Sequence, residues 1–377
     1  MKDRLKVVTV VGTRPEIIRL AATIKRLDKY TDHVLVHTGQ NYDYELNEVF
    51  FEDLGLRAPD HFLSADTSSL GSVLGSILQK TEAVLKAEKP DAFLVLGDTN
   101  SSISAVIAKR MKIPVFHMEA GNRCFDQNVP EETNRRLVDH VADYNLVYTE
   151  HARRNLLSEG IHPARILLTG SPMREVLEAN AAAIASSGVL ERQGLTANGY
   201  FLVSLHREEN VDNPQRLAMV LSALTELRKV HGLPVLVSTH PRTRKRLDSQ
   251  AEALQNTLTF HPPFGFNDYV KLQQSAKLVL SDSGTISEES TLLGFPAVTL
   301  RDSIERPESL DVGGIITAGV DTDSILNAVE TTLSQAAEDG PNEIPTDYLI
   351  SNTSRRVLNF ILSSARSHNE RIGIRVS

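Results

Sequence analysis

KLVLSDSGTISEES (277–290) packs a strand, a turn and a helix start into one short stretch. KLVL is apolar apart from its lysine, and SDSG supplies small turn residues. TISEES then opens a helix with acids in its first turn, where they complement the helix dipole. A strand that leads straight into a helix is half of a βαβ unit. The unpaired N–H groups of such a helix start favour an anion, and Gly284 lets a phosphate approach the backbone. Glu288 and Glu289, one turn in, can take ribose hydroxyls. The simpler reading of the same residues is an ordinary helix start with Ser283 as N-cap.

The pattern repeats along the chain. Short β-branched runs occur at 5–11, 33–39, 92–98, 113–119, 144–150 and 165–171. A second set occurs at 200–206, 233–240, 257–262, 277–283 and 296–302. They are continuous rather than alternating, as strands buried on both faces of a parallel sheet are. Helical stretches separate them, so the fold class is α/β with two doubly wound, Rossmann-like domains. Residues 1–177 form the first domain and 200–377 the second, from which the final helix can pack back on the first. The stretch 178–199 between them is rich in Ala, Ser and Gly and reads as the connection. LVLGDTNSS (94–102) echoes LVLSDSGTI (278–286), as two similar halves would. Open parallel sheets bind ligands beyond the carboxyl ends of their strands, so two such sheets facing each other would form a central cleft.

Bulk properties narrow the class. The 377 residues carry a net charge of −8, which argues against a nucleic-acid partner. No run of 18 apolar residues occurs, so no membrane span is expected. The start, MKDRLKVVTVVGTRPE, lacks the apolar core of a signal peptide. With one cysteine, Cys124, no disulfide within the chain is possible, and a cytoplasmic setting is expected. No metal is expected. C-x-x-C and H-E-x-x-H are absent, and His33 and His37 on a strand stand too far apart to share an ion, at about 3.3 Å per residue. The single glycine of VVGTRPEIIRL (10–20) is no dinucleotide fingerprint, so no cofactor is expected.

Charged side chains gather at the strand ends. Arg14 and Arg19 flank Pro15 at a helix start and can reach an anion. Asp98 and Glu119 end strand-like runs, and Glu131 follows Pro130 at another helix start. Three carboxylates near one sheet edge suit acid–base work, because crowding and burial shift their protonation. Taken alone, Asp98 reads as a turn residue and Glu131 as a partner of Arg135 one turn on. His206 and His240 end strands in the second half, followed by Arg207 and Arg242, and a histidine there can bind phosphate or move a proton. LRDSIERPES (300–309) adds Arg301 and Arg306, whose forks fit phosphate oxygens.

Together these motifs resemble the non-hydrolysing UDP-N-acetylglucosamine 2-epimerase family. The matching pieces are GTRPE (12–16), TGQ (38–40), GDT (97–99), EAG-x-R (119–123), PEE-x-NR (130–135), HREEN (206–210), DSG-x-x-x-EE (282–289) and RD-x-x-ERPE (301–308). The resemblance implies a glycosyltransferase-B fold, a UDP-sugar substrate held between the two domains, and a homodimer. It implies that Asp98, Glu119 and Glu131 transfer protons. His206 and Arg14 would stabilise the diphosphate, with Ser283 and Gly284 on the phosphates, Glu289 on the ribose and Arg306 on the diphosphate side. The chain looks closest to the branch that inverts C2 of UDP-2-acetamido-2,6-dideoxy-L-talose to make UDP-N-acetyl-L-fucosamine for bacterial capsule, O-antigen and lipopolysaccharide. It has NRCFD where LRTGD is usual, SGTIS where SGGVQ or SGGIQ is usual, and Arg19 where a lysine is usual. It also carries NYDYEL after TGQ. The alternatives are a UDP-N-acetylglucosamine/UDP-N-acetylmannosamine 2-epimerase, a hydrolysing epimerase, a glycosyltransferase of the same fold and a nucleotide-sugar sensor. With no nicotinamide fingerprint to oxidise C3, C2 inversion is expected to run by loss of UDP to a glycal and re-addition.

Overall fold

The computed structural model describes residues 4–40, 50–239 and 257–375. His240 and Arg242, expected at the phosphate end of a site, lie outside the described residues. The chain divides into two compact units.

The first unit comprises Met1–Ala179 with Thr346–Ser377. Its strands are β1 (Lys6–Val11), β2 (Asp32–His37), β3 (His61–Phe62), β4 (Ala92–Leu96), β5 (Val115–Met118), β6 (Tyr144–Val147) and β7 (Ile166–Leu168). They form one sheet in the order β3-β2-β1-β4-β5-β6-β7, with every pairing parallel. All of β4 is buried. That is why AFLVL carries no polar alternation: helices cover both faces of a parallel sheet.

The second unit, Asn180–Pro345, repeats the plan. Its strands are β8 (Phe201–Leu205), β9 (Val235–Thr239), β10 (Thr259–His261), β11 (Leu278–Ser281), β12 (Ala297–Thr299) and β13 (Ile316–Thr317). The order is β10-β9-β8-β11-β12-β13, again all parallel. Both sheets have the doubly wound arrangement expected from the strand runs, in keeping with the glycosyltransferase-B class that the family resemblance implies. In each, strand order reverses beside the first strand, between β1 and β4 and between β8 and β11. Ligands of open α/β sheets bind outside the strand ends at such a reversal. The echoing stretches 94–102 and 278–286 contain β4 and β11, the equivalent strands of the two sheets.

The stretch 178–199 is mostly helical. The helix Met173–Ser186 enters it and a short helix Val189–Arg192 follows. Its alanines are the strongest helix formers. The final helix, Thr353–Arg371, is part of the first unit. Arg26 donates to Ser354 Oγ at 2.9 Å and His368 reaches the Tyr144 hydroxyl at 3.0 Å. Among the described residues, no helix is long and apolar enough to cross a membrane.

Candidate active site

The first unit places side chains expected at the site at the carboxyl ends of β1, β4 and β5. After β1 the chain turns at Gly12 into the helix Arg14–Tyr30. Glu16 in its first turn is fully buried. Its Oε2 accepts from Gly12 N at 3.0 Å and Thr13 Oγ1 at 2.8 Å. Its Oε1 accepts from the Ser101 hydroxyl, so one carboxylate ties the loop after β1 to the loop after β4. Burial pushes the Glu16 carboxyl up, against the hydrogen bonds from Ser101, Thr13 and Gly12.

Arg19, one turn further, ion-pairs with Glu119. The pair is largely shielded, with side chains 12% and 9% exposed. Arg19 is therefore no surface arginine. Its Nε is buried and, among the described residues, has no hydrogen-bond partner. Glu119 directly follows β5 with φ at 64°, a left-handed backbone that costs a non-glycine residue about 1–3 kcal/mol and that clusters at functional sites. Its carboxylate lies against Gly97: a Cβ at Gly97 would sit 3.3 Å from Glu119 Oε2. Glu119 thus packs beside the backbone that carries Asp98.

Asp98 is fixed by the helix Pro130–Val141. Arg135 donates to Asp98 Oδ2 from Nη2 at 2.6 Å and from Nε at 3.1 Å, and Asn134 donates to the Asp98 carbonyl at 2.9 Å. Arg135 also pairs with buried Glu132 at 3.1 Å. Glu131 stands half-buried in the first turn of that helix, which opens on Pro130 as its sequence predicts. Arg14, half-buried, places its guanidinium 5.6 Å from the centre of the Phe50 ring.

The second unit builds its group at the ends of β8 and β11. Asp282 is fully buried and gathers four donors. His206 N and Arg207 N donate at 3.1 Å, Asn210 Nδ2 at 3.2 Å, and His206 Nδ1 lies 3.0 Å away. Burial works to raise the Asp282 carboxyl, but the His206 imidazole and the two backbone N–H groups outweigh it and hold the group below its usual range. With Nδ1 engaged by Asp282, Nε2 is the other ring nitrogen of His206.

The helix in SDSGTISEES runs from Ile286 to Leu293, with Thr285 at the N-cap and no side-chain cap bond. Ser283 is not the N-cap; its hydroxyl accepts from Thr285 N at 3.3 Å and so shapes the turn. A Cβ at Gly284 would stand 2.6 Å from Glu305 Oε2 and 3.1 Å from Arg207 Nη2. Glu305 is itself held by Arg301 at 3.0 Å and Arg207 at 3.5 Å, so it cannot step aside without breaking those pairs. Gly284→Ala is expected to cost about 1–3 kcal/mol of folding free energy. Urea unfolding should show a lower midpoint at unchanged m.

Arg306 is buried against the turn. Its Nε donates to the Gly284 carbonyl at 2.8 Å and its Nη1 pairs with fully buried Glu288 at 3.2 Å. Glu289 stays half-buried, accepting from Gln273 at 2.6 Å, and is the more accessible of the two glutamates. Arg301 is buried, and among the described residues its Nε and Nη1 have no hydrogen-bond partner. Sequence reasoning assigned no role to Glu16, Glu132, Arg135, Asp282 or Glu305. The DSG motif was the available signal for Asp282; the others read as helix or surface charges. Among the described residues, no cluster of three His, Cys, Asp or Glu could hold a metal ion.

Comparison with known proteins identifies the family. The profile of the family described as UDP-N-acetylglucosamine 2-epimerase matches residues 25–362. The solved structure of UDP-N-acetylglucosamine 2-epimerase from Rickettsia bellii is 44% identical, covers 99% of this chain and 100% of that one, and superposes with a TM-score of 0.93. The Methanocaldococcus jannaschii UDP-GlcNAc 2-epimerase, solved with UDP-GlcNAc and UDP, is 35% identical over 96% of this chain and 100% of that one, with a TM-score of 0.90. A Pseudomonas aeruginosa relative described as UDP-2,3-diacetamido-2,3-dideoxy-D-glucuronate 2-epimerase is 34% identical over 89% of this chain and 94% of its own length.

Proposed function

The chain belongs to the UDP-N-acetylglucosamine 2-epimerase family, and from that premise we propose which UDP-sugar it inverts at C2 and how. The enzyme class, a non-hydrolysing UDP-sugar 2-epimerase, sets aside the glycosyltransferase, hydrolase and sensor alternatives. The proposed substrate pair is UDP-2-acetamido-2,6-dideoxy-L-talose and UDP-N-acetyl-L-fucosamine, serving a bacterial surface polysaccharide. The proposed setting is a homodimer in the cytoplasm. The substrate choice is supported by NRCFD at 122–126, SGTIS at 283–287 and Arg19, where the sequence leaves the generic family pattern.

The observation that carries the mechanism is the Arg19–Glu119 pair lodged against Gly97, next to Asp98. H2 of the sugar is not acidified by a carbonyl, so its removal must be coupled to departure of the diphosphate. One carboxylate takes the C2 proton. The C2–H electrons form the C1=C2 bond, and the C1–O electrons leave with UDP. A second carboxylic acid protonates C2 from the opposite face, and the diphosphate returns to C1. Asp98, Glu119 and Glu131 are the proton-transfer set. In the second unit His206, oriented by Asp282, and the turn at Ser283–Gly284 hold the leaving diphosphate, with Arg14 adding charge and Glu289 on the ribose. Arg306 serves the phosphates indirectly, by fixing the Gly284 carbonyl. The orphaned N–H groups of Arg301 favour an anion nearby.

A second reading, interconversion of UDP-N-acetylglucosamine and UDP-N-acetylmannosamine, is favoured by what the two solved relatives are named for. The P. aeruginosa relative, at similar identity, is named for a different diacetamido sugar, so family membership alone does not fix the sugar. One incubation separates the readings. The protein is mixed with each UDP-sugar in D₂O and followed by NMR. Inversion of the 6-deoxy-L-talo sugar with one deuterium at C2, and none of the gluco sugar, is expected. Inversion of the gluco sugar alone selects the second reading.

A further inference from the structure

We propose that His117 and Asp139 form a buried clasp that sets the Asp98 loop, the Glu119 loop and the Glu131 helix in register, making both positioning residues for the C2 proton transfer. This rests on the reaction proposed above.

His117 lies in β5 and is fully buried, so it does not meet substrate. Its Nε2 donates to the Gly97 carbonyl at 2.8 Å, one residue before Asp98. Its Nδ1 lies 2.9 Å from Asp139 Oδ1, a close polar contact outside hydrogen-bond alignment, and neither side chain is exposed. Asp139 in turn accepts from Gly121 N at 3.2 Å, two residues after Glu119. It belongs to the helix Pro130–Val141, which carries Glu131 and sends Arg135 to Asp98. One carboxylate and one imidazole therefore touch the backbone of two loops and anchor a third element. Arg123 closes the group, donating to Asp139 at 2.7 Å and to Glu159 at 2.8 and 2.7 Å.

The chemistry needs such a device. The proton donor and acceptor sit on separate loops, and a misplacement of about 1 Å costs roughly 10²-fold in rate. Glu119 also holds a left-handed backbone, which persists only where its surroundings over-determine it. The bond from Asp139 to Gly121 and the packing on Gly97 supply that constraint from the two sides of Glu119.

The test uses two substitutions that each keep half the clasp. The amide nitrogen of asparagine can stand where Nδ1 stands, so His117→Asn keeps the link to Asp139 and loses the donor to Gly97. The longer His117→Gln keeps the donor to Gly97. His117→Asn is expected to lower kcat roughly 10²-fold at near-constant KM, with His117→Gln recovering part of the loss. The double variant with Asp139→Asn is expected to be no slower than the slower single, because the two residues act as one unit. Independent multiplicative losses, or an unchanged kcat in folded His117→Asn, would overturn the proposal. A readout that needs no turnover runs alongside. Amide hydrogen exchange in His117→Ala, which loses both ring contacts, should quicken roughly tenfold in both 96–101 and 119–123. Quickening in one loop or neither overturns the clasp, even if no UDP-sugar tested is epimerised and the reaction proposed above fails.

Discussion

Glu119→Gln is expected to keep UDP affinity and the folded structure while turnover falls by roughly 10²- to 10⁴-fold, the usual worth of a positioned acid or base. Glutamine has the same shape and keeps a carbonyl for one of the two donors, Arg19 at Oε2 or Asn122 at Oε1. It cannot accept or deliver the C2 proton. Asp282 and the Ser283–Gly284 turn belong to the second unit and are untouched. Two measurements check the result. Calorimetric titration with UDP reports the diphosphate site proposed for the second unit, and deuterium entry at C2 in D₂O reports proton transfer. If deuterium still enters at the wild-type rate, Glu119 is outside the proton-transfer set. If UDP affinity and turnover fall together, its role is structural. Replacement also leaves the Arg19 charge unpaired in a shielded place, so the melting temperature should drop as well.

Asp282→Asn is expected to cost about 2–4 kcal/mol of folding free energy and to weaken UDP binding roughly tenfold. The native carboxylate is fully buried and gathers donors from His206, Arg207 and Asn210. The amide keeps one acceptor and turns an N–H towards donors. His206 then loses the partner that holds its Nδ1. The acid dependence follows from the lowered Asp282 titration. A depressed folded-state pKa gives stability that is fully present above the unfolded carboxylate value and is lost as pH falls through the folded one. Wild type and Asp282→Asn should therefore differ most at neutral pH and converge under strong acid. Urea unfolding at several pH values checks this; a gap that widens on acidification contradicts the assignment.

The legible parts of the fold were those with a long enough signal. Continuous apolar runs such as AFLVL and VLVST each became a buried parallel strand. β3 and β13 have two residues each at the sheet edges, too few to form a run, and no sequence pattern announced them. Within the site, residues at strand ends stood out because acids and histidines interrupt apolar runs there. Glu16, Glu132 and Asp139 did not. They sit in helices whose sequences are rich in charge, and spacing does not separate a buried carboxylate from a solvated one. Arg306 adds a case from a polar loop: nothing in its spacing shows that it holds the Gly284 carbonyl and buried Glu288.

The final helix, Thr353–Arg371, has a consequence in time rather than in space. It packs with the first unit although the whole of Asn180–Pro345 is synthesised before it. On the ribosome the first unit is begun first and completed last, while the second can close as soon as its own strands emerge. A nascent chain halted near Pro345 would carry a finished second unit and a first unit with the surface meant for that helix uncovered. Chaperone capture and proteolysis during synthesis should concentrate on the first unit, the one that carries Asp98 and Glu119.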